Sequence, residues 1–184
     1  GGGVIGTSVA YHLAKMGCQE VVLLERDRLT SGTTWHAAGL MVTFGSFSET
    51  STEMRKYTRR LLYELEAETE QSSGFLPIGF IEVAGDKDRL EEYRRVSALN
   101  RYLGVDVQEI TPSEVKALFP IAKVDDLHAG FYVKDDGRVN PVDFTMALAK
   151  GARMRGAKLF EGVPVTGILR RNKRVAGVET PFGR

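Results

Sequence analysis

The sequence predicts an α/β fold in which both ends of the chain build one parallel-strand layer and the middle forms an inserted α+β segment. Three observations predict it. The glycine-rich turn Gly1-Gly2-Gly3-Val4-Ile5-Gly6 runs into helically spaced apolar residues and then into the short apolar run "EVVLLE", Glu20 to Glu25. Capped helices and short strands alternate through the middle. From Asn140 onward a helix, a buried strand and a hairpin follow. The charge balance, 25 Lys and Arg against 24 Asp and Glu, offers no field of one sign to draw nucleic acid or an anionic membrane. No apolar run approaches the ~18 residues of a membrane span, and nothing at the N-terminus reads as a signal or transit peptide. The composition is that of a soluble chain with no nucleic-acid partner and no membrane insertion. The single cysteine, Cys18, has no partner for a disulfide or a Cys-based zinc site, and no metal site is expected. A chain of this length can bury about two-thirds of its unfolded surface as one domain.

The glycines at Gly1, Gly3 and Gly6 match G-x-G-x-x-G, and apolar residues then recur at Ile5, Val9, Leu13 and Met16, which is helical spacing. Gly17 supplies a left-handed C-terminal cap, and Glu20 to Glu25 suits a buried parallel strand. In a dinucleotide-binding βαβ unit the first glycine makes the tight turn, the second admits a pyrophosphate, and the third lets the helix pack closely. The helix N-terminus faces the phosphates. An acidic residue about 20 positions on takes a ribose hydroxyl, and Glu25 ends the second strand at that place. A tight turn beside a surface carboxylate is the alternative reading of the same residues. The strand that should precede Gly1 does not lie in these residues, so the chain is expected to be a fragment of a larger protein lacking its first strand, and folding alone is in question.

Further along, Thr50-x-x-Glu53 reads as a capping box ahead of a helix with Met54, Tyr57, Leu61 and Leu65 on one face, closed by Gly74. Phe75 to Ala84 reads as a strand with an edge or bulge at Pro77 and Gly79. Asp86 or Asp88 caps a helix bearing Leu90, Tyr93, Val96 and Leu103, closed by Gly104. Val105 to Ile110 is a strand, and Thr111-Pro112-Ser113-Glu114 opens a short helix with cap, proline and capping-box glutamate in position. After a short strand at Phe131 to Val133, Asp135-Asp136-Gly137 turns the chain by ordinary turn chemistry. Asn140-Pro141 then starts a helix running to about Arg155. Ala157 to Glu161 is a buried strand, and Pro164 to Leu169 with Arg174 to Thr180 form a hairpin around Arg171-Asn172-Lys173. The expected organisation is residues 1–47 as the first part of the nucleotide-binding domain, 48–135 as a helix plus the inserted substrate-domain segment, and 136–184 as the returning part.

The stretch "TTWHAAGL", Thr33 to Leu40, follows the second strand on the side where an open parallel sheet binds ligand. Glycine and small hydroxyl residues there, Thr30 to Thr34, can present N–H groups to phosphate oxygens. Taken alone, a lone loop histidine such as His36 is usually just hydrogen-bonded; His12 and His128 have no special context. The run "LLERD" through "TSGTTWHAAGL", with "DDGRVNP" and "VPVTGI…RVAGVET", resembles the flavin-dependent sarcosine and dimethylglycine dehydrogenases of the D-amino-acid oxidase superfamily over essentially the whole chain.

That resemblance implies a glutathione-reductase-type, Rossmann-like FAD-binding sheet. It also implies covalent attachment of FAD, since His36 matches the histidine that bonds through an imidazole nitrogen to the flavin 8α-methyl carbon. The chemistry suits an unprotonated imidazole. The cofactor-binding set it implies is Gly1, Gly3, Gly6, Glu25, Arg26, Ser31, Gly32, Thr33, Thr34, His36, Ala38, Gly39, Leu40 and Val165. Oxidative demethylation of a small N-methylated amino acid follows, with hydride transfer to the flavin, tetrahydrofolate in a later region, and an electron-transfer flavoprotein as acceptor. No catalytic acid or base is carried over, because the family's substrate contacts lie beyond residue 184. The location implied is the mitochondrial matrix in a eukaryote and the cytoplasm in a bacterium. Two other readings stay open: a non-catalytic regulatory subunit like that of pyruvate dehydrogenase phosphatase, in which His36 is superfluous, and an NAD-dependent Rossmann enzyme.

Overall fold

The computed structural model describes residues 1–184, which divide into two compact units. The first comprises Gly1–Gly39, Tyr63–Gly74 and Asn140–Arg184; the second comprises Leu40–Leu62 and Phe75–Val139. Relative to the sequence-based division at 47/48 and 135/136, Tyr63–Gly74 group with the two chain ends. No helix is long and apolar enough to cross a membrane.

In the first unit, α1 (Val4–Lys15) follows the glycine turn and ends where Gly17, at φ +85°, takes the left-handed conformation. The Cys18 and Gly17 N–H groups return to the Leu13 and Ala14 carbonyls, a complete Schellman closure. The strand expected over Glu20 to Glu25 is shorter. Glu20 has φ +58° and leaves the extended region, so β1 is Val22–Leu24, pairing in parallel with the strand Lys158–Phe160.

The face of α1 that packs is not the one its apolar spacing suggests. Thr7, Ala10, Tyr11 and Ala14 are buried, while Ile5, Val9, Leu13 and Met16 are exposed. The buried face is made of small residues plus one tyrosine because it meets the helix Pro141–Met154 at close range, where a Cβ on Gly151 would stand 2.8 Å from the Tyr11 ring. Tyr11 Oη donates to Glu68 at 2.8 Å, and Glu68 also pairs with Arg155. Val9 and Leu13 instead line an open cleft of about 450 Å³ with Val21–Leu24, Val165 and Val178. The helix Pro141–Met154 opens as expected: Asn140 Oδ1 accepts from the Val142 and Asp143 N–H groups, with proline at the first turn. The last strands, Gly167–Arg171 and Arg174–Glu179, pair antiparallel through Asn172 and Lys173, both at positive φ, the signature of a type I′ turn.

In the second unit the expected strand Phe75 to Ala84 breaks in two. Phe75–Leu76 pairs with Gly137–Val139, whose other neighbour is Leu40–Met41, and Phe80–Ala84 pairs with Ala129–Val133. Pro77 and Gly79 part the two sheets rather than forming a bulge in one. Gln108–Ile110 lies on the other side of Ala129–Val133. The helix Lys87–Tyr102, capped by Asp86 rather than Asp88, covers this sheet over a core of Phe44, Val96, Val105, Val107, Phe131 and Val133. The helix Pro112–Leu118 has the full Thr111–Glu114 capping box. By contrast, the capping box expected at Thr50 does not form. The long helix, Glu49–Thr69, begins earlier, with the Ser48 hydroxyl accepting from Ser51 N–H, so Thr50 lies inside the first turn. At its other end Glu70, at φ +51°, turns the chain, and Gly74 lies beyond.

Asp136 does more than turn the chain. It is fully buried, and its carboxylate accepts from Thr43 N at 2.6 Å, from Thr43 Oγ1 at 2.8 Å and from Arg59 Nη1 at 3.0 Å. Removing one partner of such a group strands the others without hydrogen bonds, at a cost of about 3–5 kcal/mol. Asp136→Ala in the full-length protein should lower unfolding stability by that order in urea titration, whereas Thr43→Ser, which keeps both donors, should lower it by less than about 1 kcal/mol.

Candidate functional site

Around the start of α1 the chain folds back on itself through four hydrogen bonds. Gly2 N donates to Glu25 Oε2 at 2.5 Å, Thr30 N to the Gly2 carbonyl at 3.0 Å, Leu29 N to Glu161 Oε1 at 2.6 Å, and Val4 N to Thr34 Oγ1 at 3.0 Å. They wrap residues 25–34 around the glycine turn. The enclosed cleft, of about 700 Å³, is lined by Gly1, Gly3, Gly6, Glu25, Arg26, Ser31, Gly32, Thr33 and Thr34 from the expected set. Val4, Ile5, Asp27 and Ala37 line it as well. The sequence reading missed these four; Ala37 could have been found from its place between His36 and Ala38.

The glycines have separable geometric reasons. A Cβ on Gly6 would overlap the carbonyl of Gly1, so the helix comes within backbone distance of the turn that precedes it. A Cβ on Gly3 would lie 2.9 Å from Thr34 Oγ1. Gly2, outside the motif positions, is also crowded, by Leu29 and Glu25. Gly1 meets nothing closer than Glu25 Oε2 at 4.0 Å. A helix cannot satisfy its own first N–H groups, and here Val4 N–H is taken by Thr34, leaving those of Ile5 and Gly6 at the cleft wall. A helix start flanked by Gly3 and Gly6, with the Ile5 and Gly6 donors at the cleft wall, fits a pyrophosphate.

Glu25 stands at the mouth of β1. Its Oε2 accepts from Gly2 N–H, and its Oε1 from Asp27 N–H at 2.9 Å. Partial burial pushes its pKa up, but the Gly2 and Asp27 bonds, with the Arg26 charge, hold it below the ordinary value of 4.5. Each oxygen keeps a further lone pair, the acceptor capacity a pair of vicinal ribose hydroxyls needs.

His36 ends a 3₁₀ turn, Thr34–His36, at the exit from the cleft. Its imidazole is exposed, lies tilted against the Trp35 indole with centroids 3.8 Å apart, and makes no hydrogen bond to a protein group. His12, by contrast, bonds the Ser8 carbonyl at 2.7 Å. Ala38, Gly39 and Leu40 continue past His36 without lining the cleft, and Leu40 lines a separate depression of the second unit with Met41, Met54 and Arg55. Val165 lines the apolar cleft beside α1. The structure thus brings nine of the expected residues together and leaves His36, Ala38, Gly39, Leu40 and Val165 outside that cleft.

Two outcomes follow from this geometry. Because the folded pKa of Glu25 is depressed, its contribution is present above pH 4.5 and is lost as pH falls through the folded value. The stability difference between wild type and Glu25→Gln should shrink as the pH of urea unfolding is lowered from 7 to below about 4. Gly6→Ala in the full-length protein, whose methyl has no room against the Gly1 backbone, should abolish flavin retention on purification.

The whole chain, residues 1–184, matches the FAD-dependent oxidoreductase family, DAO. It is 43% identical to human mitochondrial sarcosine dehydrogenase, 41% to rat mitochondrial dimethylglycine dehydrogenase and 38% to the mouse mitochondrial pyruvate dehydrogenase phosphatase regulatory subunit, in each case over 100% of this chain. The chain spans about a fifth of the length of these relatives, 20%, 21% and 21% respectively. Among solved structures, L-proline dehydrogenase from P. horikoshii superposes with a TM-score of 0.91 at 29% identity, over 100% of this chain and 48% of that one. The α/β architecture, the glycine-turn cleft and a family match over every residue lead to one conclusion: this chain belongs to the DAO family of FAD-dependent oxidoreductases.

Proposed function

We propose that these residues form the dinucleotide-binding part of a dehydrogenase that oxidatively demethylates sarcosine or dimethylglycine, with FAD attached covalently at His36. The observation that carries the reading is the exposed imidazole of His36 on the short 3₁₀ turn that directly follows the cleft-lining residues Ser31 to Thr34. A histidine kept for structure would be bonded; one kept as a nitrogen nucleophile needs a free ring nitrogen. The 43% and 41% identities to sarcosine and dimethylglycine dehydrogenases support the substrate class.

When bound, the flavin supplies the two-electron acceptor. The chain's own part is to bind and orient. The Ile5 and Gly6 N–H groups would hold the pyrophosphate, Glu25 would accept from the ribose, Ser31 to Thr33 would line the phosphate side, and Ala38 to Leu40 would follow toward the ring. Tetrahydrofolate binding, an electron-transfer flavoprotein as electron acceptor and a mitochondrial location belong to the same reading, by analogy with the relatives. The 38% identity to the phosphatase regulatory subunit supports a second reading, in which the nucleotide fold serves a non-catalytic partner.

Mass spectrometry of the Trp35–His36 peptide from the full-length holoprotein separates them. The expected result is a peptide heavier by one flavin, and His36→Ala should keep flavin that acid then releases completely. An unmodified peptide alongside bound flavin would end the covalent assignment. Protein without flavin or N-demethylating activity would favour the regulatory reading.

A further inference from the structure

We propose that Thr34 is a positioning residue, its buried hydroxyl joining the start of α1 to the turn that presents His36, so that seating the nucleotide end and aiming the imidazole are one event. The inference rests on the reading of His36 as the attachment point.

A helix is ordinarily capped by the side chain just before it. Here that residue is Gly3, which has none, and the Val4 N–H instead donates to Thr34 Oγ1, 30 positions along the chain, at 3.0 Å. Gly3 is what makes the approach feasible, since a Cβ there would press on the same oxygen at 2.9 Å. Within the turn Thr34 alone is buried, at 8% exposure, while Thr33, Trp35, His36 and Ala37 are exposed. The backbone bonds His36 N to the Thr33 carbonyl and Ala37 N to the Thr34 carbonyl, both 3.1 Å, then fix His36 with respect to Thr34. From glycine turn to imidazole, the Thr34 hydroxyl is the side chain that joins the start of α1 to the 3₁₀ turn itself. Thr34, expected among the phosphate-side residues, lines the cleft, and its hydroxyl oxygen also accepts from the start of the helix.

Attachment exchanges one C–H bond of the flavin 8α-methyl group and one imidazole N–H for a C–N bond. Two protons leave, and the two electrons pass through the ring to dioxygen or an electron-transfer flavoprotein. Such a step is sensitive to misplacement of the nucleophile by about 1 Å, whereas retention of the nucleotide end, held by Gly6 against Gly1 and by Glu25, is not.

The test uses full-length apoprotein mixed with FAD, in wild type, Thr34→Val, Thr34→Ser and a His36→Ala control. Total bound flavin is read by absorbance, and covalent flavin by its survival through acid precipitation over time. Thr34→Val, nearly isosteric but without the acceptor, should bind total flavin within about twofold of wild type and incorporate it covalently at least about tenfold more slowly. Thr34→Ser should restore the wild-type rate. Equal covalent rates in Thr34→Val and wild type overturn the inference, as does parallel loss of total and covalent flavin, which marks a merely structural or phosphate-binding role. Failure of serine to rescue also overturns it. Wild type without acid-stable flavin removes the His36 reading and this inference with it, a result distinct from a wild-type rate in Thr34→Val.

Discussion

The carboxylate of Glu25 is the hinge of the first unit. It lies at the end of β1, yet its oxygens are bonded to Gly2 N–H, in the turn before α1, and to Asp27 N–H, at the start of the loop that wraps that turn. Strand, turn and loop therefore meet at one charged group. Hydrogen bonds to an ionised acceptor are shorter and stronger than neutral ones, which is how a largely glycine backbone, costly in entropy to order, can be held still. The remaining bonds of the wrap, from Thr30 N to the Gly2 carbonyl and from Leu29 N to Glu161, continue the same clasp.

Much of this was readable from residue types whose effect is local. Gly17 had to end α1 because left-handed backbone favours glycine, and Asn140-Pro141 and Thr111-x-x-Glu114 had to start helices because their side chains satisfy first-turn donors. The motif glycines and Glu25 read as a dinucleotide signature, and Gly1, Gly3, Gly6, Glu25, Arg26 and Ser31 to Thr34 line one cleft. What misled was what depends on the tertiary environment. Apolar spacing located α1 but chose the wrong face, because the helix packs through small residues against Gly151 and turns Val9 and Leu13 toward an open cleft. The long strand at Phe75 to Ala84 split because its halves pair with different partners, Gly137–Val139 and Ala129–Val133, which periodicity cannot reveal. Thr50 lost its capping place to Ser48 because two hydroxyl residues so close together offer equivalent starts, and tertiary context chooses.

Asp136 shows the same limit in the other direction. In sequence it is a turn residue before a glycine, and Gly137 is required, since a Cβ there would overlap the Leu76 carbonyl. Its burial against Thr43 and Arg59 depends on residues far away in the chain, and no local signal marks them. The polar cluster it forms ties the segment that follows Leu40–Met41 to the long helix and to Gly137–Val139 within the second unit.

The pairing of β1 with Lys158–Phe160, and of α1 with Pro141–Met154, has a consequence for the order of assembly. Val22 pairs with Lys158, far along the chain, while the three-stranded sheet of the second unit closes over much shorter loops. Long-range pairing must overcome loop-closure entropy before any contact rewards it, which makes it slow. On a ribosome the pairing of Val22–Leu24 with Lys158–Phe160 must wait until the inserted segment has been made. The pairing of β1 with Lys158–Phe160 is thus begun early and completed late.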